Sequence, residues 1–460
     1  MSKFKGKKVL IVGLGQSGVA TAKYMAKQGA KVMVSESRQK TDLPEAVKQT
    51  ADLKIEFEFG GHQAANFKLA ELIVVGPAVP LDLPALQEAR AMNIPITSET
   101  EIAVQLIKEP IIVITGSLGK TTTSTLVAEM LRADGKSAHI ASPSNPLINY
   151  LSEPSRSDYV ILELNAQQMR LLDRLVPSVA AFLNIHHDHL DPQNPSIDSY
   201  VDSKKKLLKT CDRNSYVVLN RDDVFVSRFA EETSARVSWF TRRNPMQIGG
   251  EFAENFVGSY VEAEKSLIHS KFNGRAESYD ISKIKIFGDH NKENVAAAIT
   301  IVKNIGVSQK AISAVIDSFK GVSHRLEFIR KKDGVYFFND SKSTTPQGIA
   351  RALASFKKSP VILISGGKDS SAEYGPLSDQ IRGKVKILIL LGEAKEKLNR
   401  MIGDFSETYL VGTFEEALLL AFQKSRTGDV VLLSPGCPSY DMFRNYEERG
   451  EYFKKLVQQL

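Results

Sequence analysis

Residues Ile114–Leu126 read ITGSLGKTTTSTL, and the spacing of the two glycines decides how the rest of the chain is read. The usual nucleoside-triphosphate loop is G-x-x-x-x-G-K-[ST]. Here only Ser117 and Leu118 separate Gly116 from Gly119, which runs straight into Lys120, Thr121 and Thr122. The apolar run IIVIT (111–115) precedes the glycines and a Thr-rich segment follows, so the stretch reads as strand, tight turn and helix. Glycines permit the turn and a close approach of backbone to ligand. A helix starting at Lys120 points free N–H groups at an anion. Lys120 adds a cation, and the Thr121 hydroxyl suits Mg²⁺. The alternative is a glycine turn that only caps a Thr-rich helix.

Further along, DYVILEL (158–164) reads as a buried strand with Glu163 near its carboxyl end, a position beside a phosphate loop that suits a Mg²⁺ ligand. AFLNIHHDHLD (181–191) then groups His186, His187, Asp188 and His189. Zinc is one reading, but neighbouring histidines in a strand or loop diverge and no cysteine assists them. One imidazole working with Mg²⁺-bound phosphate oxygens is preferred. SYVDSKKKLLK (199–209) places Lys204, Lys205 and Lys206 in a helix, where spacing alone suggests a solvated basic face.

Similar units flank this centre. KKVLIVGLGQSG (7–18) is a strand entering a glycine turn, followed by a helix that stops at Gly29, then the strands KVMVSESR (31–38) and LIVVGP (72–77). Gly13, Gly15 and Gly18 fit the dinucleotide spacing, with Glu36 as the acid for a ribose, but Ser37 and Arg38 suit a uracil or phosphate equally. Towards the other end, GVYFFNDSKSTTP (334–346), KSPVILISGGKDSS (358–371), VKILILLGE (385–393) and DVVLLSPGCPSYD (429–441) are strand-to-loop transitions with polar tips. The expectation is an α/β chain of three domains. Residues 1–108 form a Rossmann-like domain, 109–320 a P-loop ATPase-type parallel sheet, and 321–460 a second Rossmann-like domain.

Composition narrows the function classes. With 42% apolar and 25% charged residues among 460, the chain reads as globular and divides into more than one domain. A net charge of +7 without a dense Lys/Arg stripe favours anionic small molecules over nucleic acid. Cys211 and Cys437 are the only cysteines, too few for a disulfide framework or a thiolate zinc site. No apolar run nears the roughly 20 residues of a membrane span, and MSKFKGKK lacks a signal-peptide core. A cytoplasmic monomer without membrane or nucleic-acid partners is expected.

Over nearly its whole length the chain resembles the Mur ligases, the ATP-dependent amide-bond-forming family of peptidoglycan synthesis, and most of all the D-glutamate-adding branch. The resemblance is carried by GLGQSG (13–18) with ESR (36–38), TGSLGKTTT (115–123), ILEL (161–164), NIHHDHLD (184–191), GDHNKEN (288–294), SHRLE (323–327), NDSKSTTP (339–346), ISGG (364–367) and LSPGCPSYDMFRNYEERG (433–450). The D-N-P-R segment looked for in the diaminopimelate-adding member is absent. The family loop is the short form G-[TS]-N-G-K-[TS], so the spacing at Gly116 is expected, while Leu118 replaces the family asparagine.

The resemblance implies roles residue by residue. Gln16, Ser17, Ser37 and Arg38 would hold the uridine diphosphate end of the substrate. Gly116, Ser117, Gly119, Lys120, Thr121 and Thr122 would cradle ATP, with Asn291, Asn294, Arg325 and Asp340. Lys120, Glu163, His189 and Lys204 form the catalytic set, and Thr121, Glu163, His189 and Lys204 the metal set. Lys204, fifteen residues after His189, matches the lysine that the family carbamylates. Lys342, Thr344, Ser439 and Tyr446 would receive D-glutamate. ATP with Mg²⁺ would turn a carboxylate into an acyl phosphate, which the amine attacks as the third domain closes over the second.

Several stretches depart from the family pattern. ASPS (141–144) stands for G-N-I-G, Asn165 to Gln168 for S-S-F-Q, Ala78 for a glycine, and Ser370 for the lysine of G-G-x-D-K-G, while Pro438 enters the last motif. These leave two other readings: a relative that keeps the fold but has impaired or lost activity, or a ligase for a different acid and amino acid. A nicotinamide dehydrogenase would leave the phosphate loop and Glu163 unexplained.

Overall fold

The computed structural model describes residues 3–460 except 187–195, 285, 287, 357, 358 and 371. Its central strands, among them Lys8–Val12, Ile111–Thr115, Tyr159–Leu164, Val361–Gly366 and Val430–Leu433, are short runs rich in Val, Ile and Leu that are buried on both faces, as parallel sheets require. The first sheet takes the parallel order β3-β2-β1-β4-β5 from β1 (Lys8–Val12), β2 (Lys31–Glu36), β3 (Ile55–Phe59), β4 (Leu72–Val75) and β5 (Ile96–Thr97). Helices α1 (Gln16–Lys27), α2 (Pro44–Thr50), α3 (Ala64–Lys68), α4 (Pro84–Ala91) and α5 (Glu99–Val104) accompany it. The β1-to-α1 turn requires glycine: a Cβ on Gly18 would stand 2.0 Å from the Gly13 carbonyl oxygen.

The second sheet has nine strands, ordered β14-β13-β12-β11-β10-β9-β6-β8-β7. They are β6 (Ile111–Thr115), β7 (Ala138–Ala141), β8 (Tyr159–Leu164), β9 (Val179–Phe182), β10 (Tyr216–Asn220), β11 (Arg236–Thr241), β12 (Gly258–Glu262), β13 (Leu267–Phe272) and β14 (Arg275–Asp280). The expectation of a parallel sheet holds from β7 to β12, whereas β13 and β14 pair antiparallel. The cause is local: β12 and β13 are antiparallel across the short 263–266 connection, with Ser266 at φ 53°, and β13 and β14 across Asn273 and Gly274, at φ 50° and 75°; such tight connections join antiparallel strands. Helices α6 (Lys120–Ala133) and α7 (Ile197–Thr210) belong to this sheet.

The third sheet is ordered β15-β16-β20-β17-β18-β19 and is parallel except for the β15–β16 hairpin. Its strands are β15 (Glu327–Lys332), β16 (Val335–Asn339), β17 (Val361–Gly366), β18 (Val385–Leu391), β19 (Glu407–Leu410) and β20 (Val430–Leu433).

Contacts divide the chain into two units, residues 1–282 with 293–315, and residues 283–292 with 316–460. The first unit holds the first two sheets, whose cores merge, and α5 binds them together. Glu101 Oε2 accepts the backbone N–H groups of Asp173 and Arg174 at 2.9 and 3.2 Å, and Glu99 Oε1 accepts that of Ile148 at 2.7 Å. Burial pushes the Glu99 carboxyl up to about 7. Among the described residues no helix is long and apolar enough to cross a membrane.

Candidate functional site

Strand β6 delivers the chain to Gly116, and α6 begins directly after Gly119. Gly119 adopts φ +86°, and a Cβ there would meet Asn294 Oδ1 at 2.2 Å, so this position excludes side chains twice over. Asn184, from the strand-to-loop turn after β9, grips the loop from below. Its carbonyl accepts the Ser117 N–H at 2.9 Å, its side-chain oxygen accepts the Leu118 N–H at 2.8 Å, and its amide donates back to the Leu118 carbonyl at 3.2 Å. Ser117 Oγ accepts the His186 N–H at 3.0 Å. The loop is thus shaped by backbone and by Asn184, so the apolar side chain of Leu118 leaves its form intact. Lys120 Nζ donates to the carbonyls of Gly116 and Ser117, at 2.6 and 3.3 Å.

Strand β8 pairs with β6 in the register Ile114–Glu163, which sets the Glu163 carboxylate beside the first turn of α6. Glu163 is buried; its Oε2 accepts from Thr121 Oγ1 at 3.0 Å and its Oε1 from Ser124 Oγ at 2.6 Å. This set of hard oxygen donors beside a helix N-terminus fits Mg²⁺ and a phosphate. Ser124 was not singled out in the sequence, although it lies one turn beyond Lys120 on α6.

Lys204 is the largest correction to the reading from spacing, which made it part of a solvated face. It is fully buried, donates to Thr115 Oγ1 at 3.2 Å and stands 4.6 Å over the Tyr200 ring. Among the described residues it has no carboxylate partner. Burial, and then the charge of Lys120, hold its pKa well below the ordinary lysine value. The signal was present: Tyr200, Val201, Lys204, Leu207 and Leu208 share the buried face of α7 at helical spacing. Lys205 does take the solvated role, pairing with Glu232 at 2.7 Å. His189, His187 and Asp188 lie outside the described residues.

At the carboxyl ends of the first sheet, Glu36 turns inward. It accepts the Leu14 N–H at 2.7 Å and the Arg38 guanidinium at 3.0 Å on both oxygens, with Ser37 Oγ at 3.3 Å. Burial raises its pKa, but the bonds from Arg38 and Leu14 outweigh this and bring it down to about 2. Both oxygens are therefore occupied within the protein. Gln16 is exposed, while Ser17 lines a cavity of about 10 Å³ with Gly76, Glu99, Gln167 and Arg170, room for about one water.

The second unit gathers the remaining candidates around the ends of β16 and β20. Asp340 accepts from Ser434 Oγ at 2.9 Å and from the Leu326 N–H at 3.1 Å, and burial pushes its carboxyl up to about 6. Arg325 lies in the turn between His324 and Leu326, which hold φ +62° and +44°. Lys342 Nζ stands 5.4 Å from the ring of Tyr446, the first residue of the C-terminal helix Tyr446–Gln459. Ser439 is buried and Thr344 partly so. The backbone N–H of Asn291 bonds to Gly288.

Arg449, not anticipated, ties these segments together. Fully buried, it donates to Ser341 Oγ and O at 3.0 and 2.9 Å and to the Cys437 carbonyl at 3.0 Å. Its spacing with Phe453 and Val457 on one helix face was the available signal. Where the lysine of G-G-x-D-K-G is missing, Lys397 reaches in to bond Asp369 Oδ1 at 3.0 Å and the Ser370 carbonyl.

Comparison with known proteins gives this geometry its context. Residues 7–98 match the Mur ligase MurD-like N-terminal domain, 114–302 the Mur ligase middle domain, and 324–437 the Mur ligase glutamate ligase domain. The chain belongs to the Mur ligase family. It is 40% identical over 465 residues to the UDP-N-acetylmuramoylalanine–D-glutamate ligase of Bdellovibrio bacteriovorus, covering 99% of this chain and 98% of that protein. It is 38% identical over 459 residues to the enzyme of the same name from Geotalea daltonii, covering 100% and 98%. Among solved structures, UDP-N-acetylmuramate-alanine ligase MurC from Thermotoga maritima superposes with a TM-score of 0.58 at 20% identity, covering 98% and 99% of the two chains. A pseudomurein peptide ligase type C from Methanothermus fervidus gives 0.56 at 19%, covering 99% and 100%. These two likenesses establish the three-domain α/β Mur ligase fold.

As a Mur ligase the protein is an ATP-dependent amide-bond-forming enzyme of peptidoglycan synthesis. The phosphate loop, Glu163, Lys204, Asn291 and Asn294 fall in the segment matched as the middle domain, and Arg325, Asp340, Lys342 and Thr344 in the glutamate ligase domain. Ser439 and Tyr446 lie beyond that match.

Proposed function

We propose that this Mur ligase joins D-glutamate to UDP-N-acetylmuramoyl-L-alanine, cleaving ATP and passing through an acyl phosphate. Full-length identity to ligases named for that reaction favours this over lost activity or another pair of substrates. The observation that carries the chemistry is the buried Glu163 held by Thr121 and Ser124 beside the short phosphate loop.

The roles follow from the groups present. The N–H groups opening α6 and the Lys120 ammonium receive phosphate oxygens. Thr121 and Glu163 would hold Mg²⁺, with Lys204 and His189 as further candidates. Bound there, Mg²⁺ would offset charge on the phosphates. Burial holds the Lys204 pKa down and so favours its free amine, which could add to CO₂ with loss of one proton to give a carbamate, an anion suited to a metal. Gln16, Ser17, Ser37 and Arg38 are assigned to the uridine diphosphate end, Asn291, Asn294, Arg325 and Asp340 to ATP. In the second unit, Lys342, Thr344, Ser439 and Tyr446 are assigned to the amino acid. We assign the enzyme to the cytoplasm, in keeping with its nucleotide-linked substrates, and to a monomeric state.

The test is phosphate release from ATP with Mg²⁺, UDP-N-acetylmuramoyl-L-alanine and D-glutamate, each left out in turn, with Lys120→Ala as control. Release that requires all components and vanishes in the variant supports the assignment. Release that persists without D-glutamate, or that another amino acid sustains better, overturns it.

A further inference from the structure

The first sheet is unevenly covered. One face packs Val9, Ile11, Val32 and Val34 under α1 and α2. On the other, α3 and α4 cover β1 and β4 through Phe67, Ala85 and Leu86, and Met33 alone represents β2 and β3 in that core. A parallel sheet normally carries helices on both faces. Helix α3 is only five residues long and does not extend over β2 and β3. What remains is an open groove of about 670 Å³, with Leu10, Met33 and Ala70 at its base and Leu69, 63% exposed, on its lip.

Lysines mark the lower end. Lys8 pairs with Lys31 in register, and Lys54, immediately before β3, continues the row because Val32 pairs with Ile55. All three line the groove and are exposed. Among the described residues none of the three ammonium groups has an ion-pair partner; Glu71, the nearest acid in the hydrogen-bond pattern, accepts the backbone N–H of Lys8. Glu56 on the groove wall is the one acid that lines it. Like charges directly opposite on neighbouring strands are unfavourable, so three lysines against one lining acid favour an anion from outside. Three strands about 4.8 Å apart span about 10 Å, which is the width of a helix. The row sits at the amino ends of the strands, opposite to the carboxyl ends that carry Gln16, Ser17, Ser37 and Arg38.

We infer that this groove is a docking surface for an acidic amphipathic helix of a partner protein, which supplies the missing cover of β2 and β3. The apolar side of that helix enters against Met33 and Leu69, and its carboxylates meet Lys8, Lys31 and Lys54. A concave floor suits a helix rather than a bilayer, because Leu10 and Ala70 lie at the bottom and only Leu69 protrudes.

The test uses the full chain and a fluorescein-labelled 14-residue peptide with Leu at helical i, i+3, i+4 and i+7 spacing and Glu elsewhere, read by anisotropy at low and high salt. Saturable binding that weakens with salt, and falls at least about tenfold in the double variant Lys31→Glu, Lys54→Glu and in Leu69→Asp, supports the inference. Phosphate release should be unchanged in these variants, and Lys31→Glu should raise the melting temperature by relieving its neighbours. Absence of binding, binding insensitive to these substitutions, or equal binding of a peptide with Lys in place of Glu overturns it. Sedimentation with phosphatidylglycerol vesicles that is lost in Lys31→Glu, without peptide binding, also overturns it and assigns the surface to a membrane.

Discussion

Thr121 and Glu163 are 42 residues apart in the chain and meet at 3.0 Å, the threonine hydroxyl donating to the carboxylate. This bond joins the end of the phosphate loop to the tip of β8. It brings the groups suited to phosphate and to Mg²⁺ to one place.

Glu163→Gln keeps the side chain's size and removes its charge. One of the two hydroxyl donors then faces an amide N–H₂ instead of an acceptor. Phosphate release should fall on the order of 100-fold, with a stability loss of about 1–3 kcal/mol. Steady-state assays across Mg²⁺ concentration and a urea titration would check both, and unchanged turnover would remove Glu163 from the metal set.

Gly119→Ala meets a left-handed backbone and the Asn294 amide together. The expected cost is about 1–3 kcal/mol from backbone strain alone, with ATP binding weakened further as the loop shifts. Calorimetric titration with ATP against the wild type tests this. Intact affinity would show that the loop tolerates displacement.

Leu118→Asn restores the residue of the family loop, yet the loop's shape rests on Asn184. The expected order is a small change in ATP affinity for Leu118→Asn and a larger loss, about tenfold, for Asn184→Ala, which strips two hydrogen bonds from the Leu118 backbone. The reverse order in a side-by-side titration would show that the side chain at 118 contacts the nucleotide.

Lys204 has a folded pKa well below its unfolded value, so below the ordinary lysine range the unfolded chain binds the additional proton. Its contribution opposes folding at neutral and acid pH and vanishes as pH rises towards 10.5. Lys204→Met should therefore gain stability relative to the wild type at pH 6 and lose that advantage near pH 10, while abolishing turnover. Melting curves across that range in CO₂-free buffer read the effect. Adding bicarbonate should raise wild-type activity and leave the variant inactive.

Asp340 shows the opposite sign for an acid. Its carboxyl is raised from 3.8 to about 6, so the unfolded chain releases its proton first and stability falls as pH rises through that window. Asp340→Asn should flatten the pH dependence between those values. A variant that melts in parallel with the wild type at every pH would exclude the effect.

Much of this was legible in the sequence for specific reasons. The loop at Gly116–Thr121 needs glycine at its left-handed position 119, and Glu163 is placed by the length of a β-strand; both are local rules that spacing records. The β13–β14 hairpin was also written locally, in Asn273–Gly274, but went unread. Lys204 and Arg449 were concealed by their charge, since a lysine or arginine on a helix is usually solvated. Only the periodicity of their apolar neighbours indicated that they face inward.

The sequence by itself determined the alternation of strand and helix, the phosphate loop and the family, because each is encoded in residues close together along the chain. The tertiary structure alone decided which groups meet: Ser124 with Glu163, Asn184 with the Leu118 backbone, Lys204 with Thr115. Those pairings depend on strand register and on burial, which raise or lower the free energy of a charge according to what surrounds it. That surrounding is assembled from segments tens of residues apart, so no local pattern in the chain specifies it.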